Sequence, residues 1–313
     1  MFPGSFRTAV IPACALAVAL FAVSPAGSGL VDGNTGKSGI VGKYTWEVKK
    51  NRRKYEEGLK RINWYRKTAG LEEMKLDDAL CMAAQQHADY LTTNRLRLSH
   101  KQNHGAPGFT GVEFSDRVKF FGGKGAVFEC ISTNPDFNKA VDGHLSSVYH
   151  RLPFMNPDFD RVGLGVGPRV SVADFGSGAR KRDGAPVLFP ADGQKGVPPF
   201  WVVNESPNPV SQFGGPAIVG YPVSVRFYES VEIVSAGLRT GGGTVPVFVL
   251  DRNNDRVKLL KKEVFLLAKE PMKPLTSYAV SVTVKLRKRE EHVSWTFTTS
   301  SDKPPKNVKR RGK

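Results

Sequence analysis

The sequence predicts an α+β unit followed by a separate all-β unit. Three observations carry this. Apolar residues recur every three or four positions through much of the first half, the period shifts to two beyond about residue 220, and a Gly/Pro-rich stretch at 179–215 lies between. With 313 residues, 40% of them apolar, the chain can build two cores and is too apolar for wholesale disorder.

Residues 1–26 read as an export signal. Arg7 precedes an apolar run from Val10 to Val23, and Ser24-Pro25-Ala26 offers small residues for cleavage. A membrane anchor is the rival reading, but Pro12 interrupts the run and a span needs about 20 residues. Lipidation at Cys14, after Ile11-Pro12-Ala13, is a second rival. Residues 27–45 are Gly-rich and polar, which predicts a flexible lead-in.

From Trp46 to Lys67, Tyr55, Leu59, Ile62 and Tyr65 form the stripe of an amphipathic helix that Gly70 stops. A second helix is expected from Asp77, as N-cap, to Asn94, with Leu80, Ala83, Ala84, His87 and Leu91 along one face. After a Gly/Pro/His loop at Ser99–Gly111, a third helix is expected over Asp136–Val148. Arg161–Gly167 and Arg169–Phe175 then read as a hairpin, so helices over an antiparallel sheet fill residues 46–178. Gly163, Gly165 and Gly167 alternate along a strand with no helix after them. Close backbone packing or a bulge explains them better than a phosphate loop.

Residues 216–300 alternate, as in Val223, Val225 and Phe227, in Tyr278, Val280, Val282 and Val284, and in Val293, Trp295 and Phe297. Turns at Gly241–Gly243 and Asn253-Asn254 divide them, which predicts an Ig-like β-sandwich. The basic tail 301–313 is expected to be disordered.

The formal charge is +17, and about +10 of it lies in residues 251–313. That excess suits an anionic envelope polymer bound in a salt-dependent way, or a charged surface kept for solubility. Nucleic acid is disfavoured by export and by the lack of a reading motif. Neither a Gly-x-Ser-x-Gly elbow nor a cysteine-protease context is present, so acyl-transfer chemistry has no support.

The stretch Ile62–Gly167 resembles the bacterial branch of the CAP superfamily, the cysteine-rich secretory, antigen 5 and pathogenesis-related 1 proteins with their SCP domain. The resemblance rests on ordered fragments: Asn63 and Arg66 before Gly70-Leu71, then Leu80, Ala84 and His87-Ala88, Ser99-His100, Glu129-Cys130-Ile131, Ala140-Val141-Asp142, Tyr149-His150-Arg151 and Val162–Val166. It implies a CAP-type α/β/α sandwich and an exported protein.

In that family two histidines and two glutamates meet in a cleft that can hold a divalent cation. His100, Glu129 and His150 match three positions, a set suited to Zn²⁺ or another divalent ion. The fourth falls near Ser146 or Ser147, where no carboxylate stands. A hydrogen-bonded histidine cluster bracing the cleft is the alternative. His104 is a candidate to replace or supplement His100, whereas His87, on an apolar face, is expected to be a satisfied core histidine. Asp116, Arg117 and Asp142 are expected to brace the surface. Cys81 and Cys130 are either a disulfide pair or two separate buried thiols.

The function expected is that of an extracellular or cell-envelope binding protein with a lipid, protein or anionic polymer as partner. A metal-assisted hydrolase of peptide or cell-wall material and an adhesive protein working through the basic sandwich are the alternatives. No catalytic residue is assigned.

Overall fold

A computed structural model describes residues 34–96, 98–124, 127–178 and 184–305. The expected export signal, the basic cluster Arg180-Lys181-Arg182 and residues 306–313 lie outside the described residues.

The first unit comprises α1 (Asn34–Thr68), β1 (Lys75–Leu76), α2 (Asp78–Thr93), α3 (Phe114–Phe120), β2 (Val127–Ser132), α4 (Phe137–Leu145), α5 (Arg151–Phe154), β3 (Phe159–Gly167) and β4 (Val170–Ser177). Helix α1 buries Val48, Tyr55, Ile62 and Tyr65 on its inner side. Its first turns occupy part of the stretch expected to be a flexible lead-in. They fold because Tyr44 seats among Leu80, Ala83, Val118 and Phe121, giving the polar turns an apolar anchor. Asp77 caps α2 as expected, its carboxylate accepting the Leu80 N–H at 3.0 Å. Asp136 likewise accepts the Lys139 N–H at 3.2 Å and starts α4.

The strands pair in the order β1-β3-β4-β2, with β3 and β4 as the expected hairpin. Glycine alternation decides how a helix meets this sheet. A Cβ on Gly163 would stand 2.0 Å from the Leu80 carbonyl carbon, and one on Gly165 2.2 Å from that of Ala84, so α2 rests its backbone on bare strand. Val162 and Leu164 point to the opposite face by strand alternation and join Tyr55, Ile62, Phe137 and Val141.

The second unit holds β5 (Val187–Phe189), β6 (Gln194–Val197), β7 (Trp201–Val202), β8 (Ile218–Val219), β9 (Val223–Arg226), β10 (Glu232–Thr240), β11 (Gly243–Val245), β12 (Val247–Leu250), β13 (Glu263–Ala268), β14 (Ser277–Lys285) and β15 (Glu290–Thr299). Five strands pair as β11-β10-β14-β15-β6 and four as β12-β13-β9-β5, a β-sandwich, with β7-β8 as a separate ribbon. The helical sheet-covered region followed by a β-rich sandwich is the architecture the patterning predicts.

The expected linker at 179–215 requires correction. Within it, β5 pairs with β9, β6 with β15 and β7 with β8, and Trp201, Glu205 and Val210 are buried. Short strands broken by Gly and Pro hide the period-two signal that longer strands display. The two units consequently share cores: Val148, Tyr149 and Leu152 of the first pack with Trp201, Val210, Val219, Leu260 and Phe265 of the second. Among the described residues, no helix is long and apolar enough to cross a membrane.

Candidate functional site

The candidate residues lie where β2, the 99–113 loop and the turn between α4 and α5 converge. β2 carries Glu129 into a fully buried position, where its two oxygens take different partners. Oε1 lies 2.7 Å from His100 Nδ1, and Oε2 accepts from Arg117 Nη2 at 2.6 Å. Arg117, on α3, also donates through Nη1 to the His100 carbonyl at 3.0 Å. The arginine thus fixes both the carboxylate and the loop that carries the histidine.

Burial alone would raise the Glu129 carboxyl. Arg117, helped by the hydrogen bond from His100, outweighs it and holds the group well below the usual carboxylate range. Asp174 stands directly opposite Glu129 in the β2–β4 register. Its burial, reinforced by the Glu129 charge, pushes its carboxyl well up. Both shifts favour the negative charge on Glu129, the member that faces Arg117. Because ionised Glu129 accepts from His100 Nδ1, the proton of a neutral His100 ring sits there and Nε2 carries the lone pair. That atom is buried without a hydrogen-bond partner.

His87 is the satisfied core histidine its apolar face predicts. Nε2 donates to the Ser99 carbonyl at 2.8 Å, and Nδ1 accepts from Gln102 Nε2 at 3.1 Å. Burial, partly countered by Glu129, pushes its pKa down to about 3, so the ring is neutral. Gln102 also donates to Gln86 Oε1 at 2.8 Å and accepts the Thr110 N–H at 2.9 Å, which ties the histidine loop to α2.

His150 is held by a different carboxylate. Glu205, between β7 and β8, places Oε1 2.6 Å from His150 Nδ1 and 2.9 Å from the amides of Tyr149 and His150, while Oε2 takes the Val148 N–H at 2.9 Å. The carboxylate that holds His150 thus comes from more than fifty residues downstream. His144 stacks on His150 at 5.3 Å and on Phe154 at 5.7 Å, and burial pushes its pKa well down. The neighbouring Tyr149 donates its hydroxyl to Asp255 at 2.7 Å. Arg151 donates to the Pro222 carbonyl at 2.6 Å and to the Ser224 hydroxyl at 3.0 Å. The turn at 148–151 is therefore clasped by the sandwich.

The expected trio is divided. His100 and Glu129 meet, while His150 takes Glu205. Glu129 gives Oε1 to His100 and Oε2 to Arg117. Among the described residues, no group of three or more His, Cys, Asp and Glu side chains could hold a metal ion. His104 does not join His100: it is exposed and packs against Phe109 at 4.7 Å. Cys81 and Cys130 are separate free thiols, both buried. Cys130 points its sulfur at the His150 carbonyl at 3.7 Å, and burial pushes the Cys81 thiol up to about 12.

Arg117 and Glu205 are the participants that sequence reasoning placed elsewhere or missed. Arg117 reads as an ordinary surface charge beside Asp116, yet it is completely buried. Only the short apolar period of α3 around it could have hinted at burial. Glu205 carries no local signal at all. Asp142 keeps its expected bracing role, bound to Arg61 at 2.7 Å and Tyr65 at 2.9 Å.

Residues 59–169 match the family model described as the cysteine-rich secretory protein family, CAP. No curated protein matches. Two solved structures are similar to part of the chain. One is an extracellular protein containing a SCP domain from Bacillus anthracis str. Ames, 22% identical over 39% of this chain and 40% of that one, with a TM-score of 0.35. The other is an outer surface protein from Borrelia burgdorferi, 21% identical over 41% of this chain and 94% of that one, also with a TM-score of 0.35. The chain spans less than half the length of the Bacillus anthracis protein.

Proposed function

We propose that this is an exported binding protein of the cell envelope or extracellular medium, in which the CAP-like unit is a closed scaffold rather than an open catalytic cleft. The observation carrying this reading is Glu205: a carboxylate from the second unit takes three amides and the His150 ring, burying the turn on which a cleft histidine stands. A catalytic base must reach its substrate, and here Glu129 and His150 have no exposed surface. Export is supported by the apolar run Val10–Val23 and by the family match.

Zinc-assisted hydrolysis is the competing function, and calorimetric Zn²⁺ titration of the full chain, run beside peptide and peptidoglycan cleavage assays, separates the two. The binding reading expects neither a one-to-one site of micromolar affinity nor metal-dependent cleavage. Tight binding weakened by His100→Ala, Glu129→Ala and His150→Ala, accompanied by cleavage, would overturn it.

An adhesive role for the sandwich, read as an Ig-like attachment module, is favoured by the loop between β12 and β13. Asp251 and Asp255 turn inward and accept backbone amides, whereas Arg252, Arg256, Lys258 and Lys261 are exposed. The exposed charges an anionic polymer would meet there are all cations. Retention on isolated anionic wall polymer should fall steeply as salt rises from about 0.05 to about 0.5 M, and retention indifferent to salt would exclude this role.

A further inference from the structure

Helix α1 has an outer face that the fold does not use. Tyr44, Val48, Tyr55, Ile62 and Arg66 are buried on its inner side. At 100° per residue, Trp46 and Trp64 lie diametrically opposite that side, 18 positions and five whole turns apart. They are 57% and 49% exposed, unusual values for indoles. Between them the same line carries Lys49, Lys50, Arg53 and Lys60, all exposed. Its single acid, Glu57, is ion-paired with Arg53 at 3.4 Å.

This is a straight stripe about 27 Å long, with an aromatic ring at each end and a net positive charge between. Basic side chains flank the rings while also pairing with acids, Lys50 with Glu47 at 3.7 Å and Arg61 with Asp142 at 2.7 Å. Lys50 Nζ sits 4.7 Å from the Trp46 ring centre, and the Arg61 guanidinium lies 4.9 Å from that of Trp64. An indole flanked by a long basic side chain suits the headgroup level of a bilayer, where the ring sits among glycerol and carbonyl groups while the cation meets lipid phosphate. Charge complementarity selects an anionic leaflet. The geometry of a rigid line favours a plane over a pocket. Moreover, α1 begins at Asn34, eleven residues past the end of the apolar run at Val23, so any retention of that run would bring this helix to the bilayer.

We infer that the outer face of α1 lies flat on an anionic lipid surface, with Trp46 and Trp64 as its two interfacial anchors. This goes beyond the binding role proposed above, since it involves neither the buried histidines nor the sandwich.

Tryptophan fluorescence tests it directly, because the remaining two indoles, Trp201 and Trp295, are 4% and 3% exposed and silent to solvent. The full chain is titrated with vesicles of phosphatidylcholine and phosphatidylglycerol at about two to one, and with phosphatidylcholine alone. The expected result is a blue shift and reduced acrylamide quenching with the anionic vesicles only. Trp46→Ala/Trp64→Ala should abolish the shift and weaken co-sedimentation at least about tenfold. Lys50→Gln/Arg53→Gln, which leaves both indoles in place, should weaken it about fivefold per cation at low salt. Both anchors lie outside the core, so the variants should melt like the parent, which separates lost binding from lost folding. No shift with anionic vesicles, an equal shift with neutral ones, or the same shift induced by soluble polyphosphate without lipid would each overturn the inference. The last result would assign the stripe to a polymer.

Discussion

Glu205 Oε1 stands 2.6 Å from Nδ1 of His150, and the same carboxylate accepts three consecutive backbone amides at 2.9 Å. A residue outside the family-matched region thereby fixes a residue inside it. Four donors on one buried carboxylate is a high-stakes arrangement, because removal strands all four in a site that water does not reach. Glu205→Ala should destabilise the chain by about 3 kcal/mol in urea titration. It should also raise hydrogen exchange at the amides of Val148, Tyr149 and His150. Glu205→Gln keeps one oxygen for the Tyr149 and His150 amides and should cost about half as much. Equal protection of these amides in Glu205→Ala and the parent would refute the clasp.

The Arg117–Glu129 pair predicts a non-additive result. Both side chains are fully buried at 2.6 Å, so losing one partner leaves a charge in low dielectric. Arg117→Met alone should cost about 3 to 5 kcal/mol. Adding Glu129→Gln to it should restore part of that loss, since the amide carries no charge and can still accept from His100. A double variant no more stable than Arg117→Met would show that packing, not the stranded charge, dominates.

How much of this was legible depends on the distance over which each signal acts. The α2 cap at Asp77, the apolar stripe of α1 and the core role of His87 are set by residues within a turn or two, and the chain displays them locally. The alternating glycines of β3 were legible as a demand for close approach, though not as to which helix approaches. Glu205 was illegible because its meaning comes from a turn more than fifty residues earlier. Arg117 was misread because a buried arginine and an exposed one look alike until Glu129 arrives from another strand. The strands at 187–202 were hidden by their brevity and by the Gly and Pro residues around them. Local periodicity therefore delivered the two architectures but missed the contacts that join them, and those contacts decide whether the histidine cleft is open.

The glycine contact gives a sharp stability test. A methyl group on Gly165 would lie 2.2 Å from Ala84 carbonyl carbon and oxygen, and these are helix backbone atoms that cannot rotate away. Gly165→Ala should therefore push α2 off β3 and cost at least about 3 kcal/mol, or prevent soluble expression. Gly143→Ala on α4, where a Cβ would meet nothing within 4 Å, is the matched control and should be neutral or slightly stabilising. Similar melting temperatures for the two variants would contradict the packing described for this layer.

Acid sensitivity should begin with histidines rather than carboxylates. His87 stays neutral in the fold until about pH 3, whereas in the unfolded chain it takes a proton near its ordinary 6.5. Between those values the unfolded state binds more protons, so this contribution is fully present above pH 6.5 and declines as pH falls toward 3. His144, pushed down by burial, acts in the same sense. Asp174 runs the opposite way: its raised carboxyl stabilises the fold most at low pH, and that contribution is lost as pH rises above 3.8. Between pH 6 and 5 unfolded carboxylates are largely ionised, so the raised Asp174 opposes the histidines there, and the His87 share is read as the difference in slope between the parent and a His87 variant. Each should approach a slope of about 1.4 kcal/mol per pH unit in unfolding free energy. His87→Gln, whose amide can accept from Gln102 and donate to the Ser99 carbonyl, should lower the slope by about 1.4 kcal/mol per pH unit while leaving stability at pH 8 less affected. A slope unchanged by His87→Gln would mean that His87 is already protonated in the fold.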